Sequence, residues 1–471
     1  MSNVFKLSKI PLLFAITSIA FYISFAYDLE RSDFIKLITL YCALFLIAYL
    51  YIEKWKQSFG LLVGFGITFR VIFLFAIPNL SQDFYRFIWD GHLMAQGVNP
   101  YLFTPTMYFN DLSISQDIII PNANNLYRGM GALSGSHFSN YPPINQFLFT
   151  IAALIGGKSI LSSIMVLRVL IILADVGILY FGKKILRRLK LPVNNIFWYF
   201  LNPFIIIELT GNLHFEGVML FLLIWSLYSL FKRKWLWAAV LFGISISVKL
   251  IPLLFLPLFF RYFGSKNKIP RIFESYEVSI KKLIEFYLIV GVTVVVTFLP
   301  FLSVEFMRNF TSTLALWFQD FEFNASVYYI IRWIGFQVVG WNIIGIIGKI
   351  IPIIVFLLIM GIAFFRRNNT REKLLTAMLF AISIYFLLAT TVHPWYIATP
   401  LLLSVFTRYK FPIVWSLMVM LSYSAYGKDG VDENLWLVAL EYFVVIGFAI
   451  WEIYFRPKES TQIYKGHNQI D

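Results

Sequence analysis

Residues 160–190 read ILSSIMVLRVLIILADVGILYFGKKILRRLK, an apolar run over 160–181 whose only charges are Arg168 and Asp175, followed by a dense basic tail. A helix needs about 20 apolar residues to cross the hydrocarbon layer of a bilayer, and this run supplies them. The basic tail marks the side on which the helix ends, because Lys and Arg collect in cytoplasmic loops.

Outward from that segment the same pattern repeats along the chain. Of 471 residues, 59% are hydrophobic and 14% charged, against about 25% charged in soluble domains. A soluble core has no use for so much apolar surface. The alternating strands of a membrane barrel are absent, which leaves helices as the only spanning structure. The expected fold is all-α, a polytopic transmembrane protein of about 12–14 spans forming one membrane domain over 1–471. The spans are expected near 10–27, 34–52, 59–77, 160–181, 196–210, 217–231, 235–248, 250–260, 283–302, 342–365, 374–391, 396–407, 411–426 and 435–454. Lys6 and Lys9 precede the first run, and no small-residue cleavage site follows it, so it reads as a retained helix. The single cysteine, Cys42, lies in an apolar run and is expected to be a small core residue, with no disulfide possible within the chain.

The 39 Lys+Arg against 25 Asp+Glu give a net charge of +14. In a soluble protein that balance would suggest nucleic acid; in a membrane protein its distribution matters more, and no nucleic-acid partner is expected. Basic clusters at 183–190, 232–234, 261–271, 366–373 and 408–410 fit one side, the cytoplasm, together with both termini. Two short apolar stretches, 144–155 and 326–339, are then re-entrant or surface-lying on the opposite side. The run 235–260 is expected to break at Lys249 and Pro252. This topology gathers the polar chemistry on the outer face: the long loop 78–143, Glu208, His214 and Glu216, Lys249, and His393. Charges near a membrane are costly unless paired or functional, so their segregation to one face is informative.

Within the long loop, SQDFYRFIWDGHLMAQGVNPY (81–101) spaces Asp83, Arg86 and Asp90 three and four residues apart, on one face of a helix. That helix stops at Gly97, and Asn99-Pro100 turns the chain. One carboxylate held by Arg86 while the other faces a cleft would suit a general base. The plain alternative is a salt-bridge ladder on an interfacial helix anchored by Tyr85 and Trp89. Arg70, Arg168 and Asp175 are intramembrane charges expected to pair structurally rather than act.

Five further motifs accompany this helix: GVNPY (97–101), SNYPPINQ (139–146), GNLHFEG (211–217), SVKLIPLLFLP (247–257) and TVHPWY (391–396). In this order, over roughly 80–400, the chain resembles the GT-C superfamily of integral-membrane glycosyltransferases. The resemblance is to bacterial polyprenyl-phosphate-mannose-dependent mannosyltransferases in particular and, more distantly, to the catalytic subunit of the GPI mannosyltransferase. The resemblance implies inverting transfer of a hexose, mannose by preference, from a polyprenyl-phosphate donor to a glycan or glycolipid acceptor on the non-cytoplasmic face of the cell membrane. It implies Asp83 as the base that deprotonates the acceptor hydroxyl, with Asp90 as its helper. The GPI enzyme carries its acidic motif after its first helix, which keeps Asp28 and Asp33 open as competitors.

The leaving group of such a transfer is a lipid phosphate, whose growing charge calls for preorganised cations. Lys249, Arg86, His393 and Arg332 are the candidates, with a snorkelling lysine and an aromatic-belt histidine as the plain alternatives. His214, Glu216, Trp395 and Tyr396 are candidates for the acceptor or sugar. No cofactor and no metal is expected, since His214 and Glu216 with Asp83 make a weak ligand set. Two rival functions remain: a lipid-sugar flippase or secondary transporter, against which the lack of a repeated half argues, and a polysaccharide polymerase or ligase using a lipid diphosphate donor.

Overall fold

The computed structural model describes residues 9–264, 280–319, 321–428 and 430–456. Lys6 and residues 265–271 of one basic cluster therefore lie outside the described residues. The fold is all-α: among the described residues the only strands are the two-residue pair Tyr426–Gly427 and Gly430–Val431.

Among the described residues, six helices are long and apolar enough to cross a bilayer by themselves: Ile10–Tyr27, Phe34–Lys54, Ile160–Arg188, Ile280–Phe301, Ile344–Phe365 and Leu435–Phe455. Each coincides with an expected span. Ile160–Arg188 continues past the expected end at 181, because Lys183, Lys184, Arg187 and Arg188 prolong the helix beyond the apolar run. At about 1.5 Å per residue it is roughly 43 Å long, against about 30 Å of hydrocarbon.

The expected span 374–391 is a continuous helix, Arg371–Leu388, with three charges in its first turn, and most of the other expected spans are short, bent or broken. The region 196–231 opens with a short helix, Phe197–Phe200, and continues as a π-helix, Ile205–Gly211, and a helix, Glu216–Phe231, bent by 108° at the intervening turn. The helix Trp235–Val248 ends at Lys249, whose backbone is extended, and a 3-10 helix, Ile251–Leu258, follows with prolines at 252 and 257. The expected break at Lys249 and Pro252 is therefore present, as a 3-10 segment rather than a second full span. Broken helices expose carbonyls that lipid cannot satisfy, and buried arginines supply the donors. Arg168 donates to the carbonyls of Leu74 (3.0 Å), Ala76 (2.8 Å), Thr210 (2.9 Å) and Gly211 (2.9 Å). It thereby ties two unwound ends together. Asp175 pairs with Arg70 at 2.8 Å rather than with Arg168 on its own helix. Arg70 also donates to the carbonyls of Gly66 and Phe200.

Cys42 corrects the sequence expectation: it is exposed on the helix Phe34–Lys54. Leu37, Tyr41, Leu44, Ala48 and Tyr51 take the buried face of that helix, and Cys42 falls outside their three-and-four spacing.

The loop helix Asp83–Ala95 packs against Pro143–Gly156 and Ala123–Ser136. Gly91 makes the first contact possible, since a Cβ there would run into the Phe149 carbonyl. The chain leaves the helix at Gly97, whose φ of +74° suits glycine. Trp89, Phe87 and Asp90 are all buried, so the segment is a packed part of the body rather than a headgroup anchor.

Candidate active site

The charge ladder of the loop helix splits into two parts. Arg86 Nε lies 2.7 Å from Asp90 Oδ1. Arg86 Nη1 donates to the carbonyls of Ser134 and His137, each at 2.8 Å. Asp90 Oδ2 accepts from Ser139 Oγ at 2.6 Å and from Gln146 Nε2 at 3.1 Å. Asp90 is thus fully buried and saturated with donors. Asp83, at the first position of the same helix, is half-buried and makes no ion pair with Arg86. Burial raises its carboxyl above the usual range, and Lys249, Arg31 and the Tyr141 hydroxyl pull it back in part. A half-buried carboxylate with an elevated proton affinity, free of an arginine clamp, has the properties a general base requires.

The quoted motifs converge on Asp83. Tyr101 of GVNPY donates its hydroxyl to the Tyr141 carbonyl of SNYPP at 2.6 Å. Asn145 of the same motif donates to the Val248 carbonyl at 2.9 Å, fixing the residue before Lys249. Asn212 of GNLHFEG accepts from the Leu80 amide at 3.2 Å, holding the approach to Asp83. Lys249 Nζ bonds Glu216 Oε1 at 2.6 Å and lies 5.8 Å from the Tyr141 ring. An ammonium has three donors, and Glu216 takes one.

His214 and His393 sandwich Trp395: the ring centres are 3.7 Å and 4.6 Å from the indole, at 16° and 7°. Both faces of Trp395 are therefore occupied, and the indole is buried. Tyr396 meets the His393 ring edge-on at 5.4 Å. Burial holds His393 neutral, its pKa down to about 3, with Lys249 and Arg31 adding to the effect. His214 is depressed too, first by burial and then by Lys249, His393 and Arg31. Neutral imidazoles can donate and accept hydrogen bonds but bring no charge. Nδ1 of His393 and Nε2 of His214 have no hydrogen-bond partner.

Arg332 is committed to Glu322 at 2.6 Å, and Tyr328 donates to the same carboxylate at 2.7 Å. Asp28 is ion-paired with Lys36 at 2.7 Å, and Asp33 caps the helix Phe34–Lys54 through the Lys36 amide. Neither competitor shares the company Asp83 keeps. Among the described residues, no three His, Cys, Asp or Glu side chains converge as a metal-ligand set.

Two participants escaped the sequence. Arg31, in the turn DLERSD after the first span, stacks its guanidinium 3.2 Å from the Tyr426 ring centre. Tyr426 belongs to the small hairpin between the spans at 411–426 and 435–454. No local pattern distinguishes either residue; only the return of the chain through space brings them to Asp83.

An all-helical membrane body, broken helices meeting at one cluster, and a carboxylate near cations at that cluster are compatible with a membrane-embedded glycosyltransferase. Residues 31–263, just under half of the chain, match the family model described as alpha-(1->6)-mannopyranosyltransferase, N-terminal domain (the MptA_B family), and over that segment the chain is similar to mannosyltransferases. No curated protein matches the chain. A mannosyltransferase works between a sugar donor and a glycan acceptor, and the matched segment carries Arg31, Asp83, Asp90, Glu216 and Lys249.

Proposed function

We propose that the protein moves mannose from a polyprenyl-phosphate-linked donor to a glycan or glycolipid acceptor, with inversion at the anomeric carbon. The observation that carries this reading is the isolation of Asp83 from Arg86 and its approach to Lys249. Asp83 removes the acceptor hydroxyl proton, the acceptor oxygen attacks the anomeric carbon, and the bond to the phosphate oxygen breaks. The departing lipid phosphate gains negative charge beside Lys249, whose remaining donors stabilise it. Glu216 holds Lys249 in place, and the neutral imidazoles of His393 and His214 supply uncharged hydrogen bonds to phosphate or sugar. Tyr396 presents a hydroxyl and ring edge to the sugar, and Trp395 serves chiefly as the slab on which both histidines lie.

Arg86 and Asp90 form the brace that holds the loop helix, a role better suited to their buried mutual ion pair than phosphate or proton chemistry. Arg332 supports the segment at Glu322 that runs beside His393. The site opens on the non-cytoplasmic side of the cell membrane, with both termini cytoplasmic; the preference of Lys and Arg clusters for cytoplasmic loops supports this orientation. The family description favours an α-1,6 linkage.

The test is incubation of purified protein with polyprenyl-phosphate mannose, polyprenyl-phosphate glucose and a polyprenyl-diphosphate sugar, following released polyprenyl phosphate or diphosphate. Turnover of the mannosyl monophosphate alone supports the reading. Turnover of the diphosphate donor alone would make the protein a polymerase or ligase.

A further inference from the structure

The cations around the cluster are unequally committed. Arg70 and Arg86 are each bound to a buried aspartate and to carbonyls, Arg168 to four carbonyls, and Lys249 to Glu216. Arg31 differs. Like Nη2 of Arg70 and of Arg86, its Nε is buried without a hydrogen-bond partner, but among the described residues no carboxylate lies within ion-pair distance of its guanidinium. It is nevertheless not a loose side chain, because the guanidinium plane rests on the Tyr426 ring at 3.2 Å. A guanidinium over a tyrosine face keeps its edge donors free while losing rotamer freedom. The turn that carries it is pinned as well: Asn79 Nδ2 donates to the Phe25 and Leu29 carbonyls at 2.7 Å and 3.0 Å.

The stack sets Arg31 beside the histidine pair, because the Tyr426 ring packs on Phe323 at 5.8 Å and Phe323 on His393 at 5.4 Å. Arg31 acts electrostatically on Asp83, His214 and His393, and Lys249 acts on the same three groups. Two cations more than two hundred positions apart in sequence therefore act on one carboxylate, and only one of them has a protein counter-ion. A planar guanidinium matches the oxygens of a phosphate in a way a lysine cannot.

We infer that Arg31, preset by Tyr426, is the second cation for the phosphate of the lipid-linked donor, opposite Lys249. This rests on the donor class proposed above and adds a residue and a geometry to it. As the sugar leaves, the phosphate gains charge between Arg31 and Lys249. The guanidinium also closes the gap between the first loop and the hairpin at 426–431.

The probes are farnesyl phosphate and farnesol, titrated into the full-length purified protein in detergent. Wild type is expected to prefer the phosphate. Arg31→Gln should weaken farnesyl phosphate binding by roughly ten- to a hundredfold, the range for losing a hydrogen bond to a charged group, and leave farnesol unchanged. Arg31→Lys, which keeps charge and loses the flat stack, should fall between. Tyr426→Leu should weaken phosphate binding less than Arg31→Gln, since it frees the guanidinium without removing it. Equal phosphate affinity in wild type and Arg31→Gln overturns the assignment of Arg31 and leaves the donor class standing. No preference of wild type for phosphate over alcohol overturns both. An equal loss for both ligands in Arg31→Gln and Arg31→Lys marks a purely structural arginine and also overturns the inference.

Discussion

Asp90→Ala removes the acceptor on which Arg86, Ser139 and Gln146 converge at 2.7, 2.6 and 3.1 Å. Arg86 and Asp90 are both buried, with side-chain exposures of 4% and 0%, so water cannot replace the lost partner. Breaking a buried ion pair from one side costs about 3–5 kcal/mol, because the surviving charge is left uncompensated. Asp90→Ala is therefore expected to lose stability of that order in a detergent unfolding titration, and Arg86→Met a similar amount. The double variant Arg86→Met/Asp90→Leu strands no charge and is expected to be less destabilised than either single change. Asp90→Asn keeps the shape of the acceptor and should retain turnover within about tenfold per folded molecule, since a brace contributes no proton transfer. Activity is measured on the monodisperse fraction after size exclusion, so that folding and chemistry separate. Asp90→Asn that is as stable as wild type but inert would refute the reasoning, and would make Asp90 rather than Asp83 the chemical carboxylate.

Three further outcomes are expected. Lys249→Met should raise the donor KM or lower kcat by about tenfold or more, while Lys249→Arg keeps part of the activity because it keeps the charge; steady-state kinetics over a donor series checks this, and equal activity in both would leave Lys249 a snorkelling side chain. In a Cys42→Ser background, single cysteines at Asn110 and Asn124 should react with an impermeant thiol reagent in intact cells, and labelling only after lysis would invert the proposed topology. His393 ionises near 6.5 when unfolded and near 3 when folded, so the unfolded state binds the extra proton between those values and stability must fall as pH drops through that window. Between pH 6.5 and 5 the loss is at most about 2 kcal/mol, and it should shrink in His393→Gln when unfolding is followed at the two pH values.

The long spans were legible because a run of about 20 apolar residues has one physical outcome in a bilayer. The broken ones were not, since Pro203, Pro252, Pro257, Pro394, Pro400 and Pro412 interrupt apolar runs without stating where the halves go. The partner of Asp175 was open for the same reason: spacing placed Arg168 on its face, whereas the fold delivers Arg70 from another helix and spends Arg168 on unwound carbonyls. Within the site, the i,i+4 spacing of Arg86 and Asp90 already implied their pairing and left Asp83 free. Cys42 was misjudged because an apolar neighbourhood in a membrane protein does not mean a buried one; the lipid-facing side is equally apolar. Arg31 and Tyr426 carried no signal, since a charged turn and a lone tyrosine are common on any surface, and their meaning lies in a contact nearly four hundred positions apart in sequence.

Single-turnover transfer by purified protein from polyprenyl-phosphate mannose, comparing wild type with Asp83→Asn, tests the central claim most directly. Asparagine preserves the shape and hydrogen bonding of Asp83 and cannot take the acceptor proton, so the chemical step is expected to slow by about 10²–10⁴-fold at unchanged donor affinity. The wild-type rate should rise with pH as Asp83 gives up its proton, and that dependence should vanish in the variant. An Asp83→Asn enzyme that transfers mannose at the wild-type rate would contradict the account.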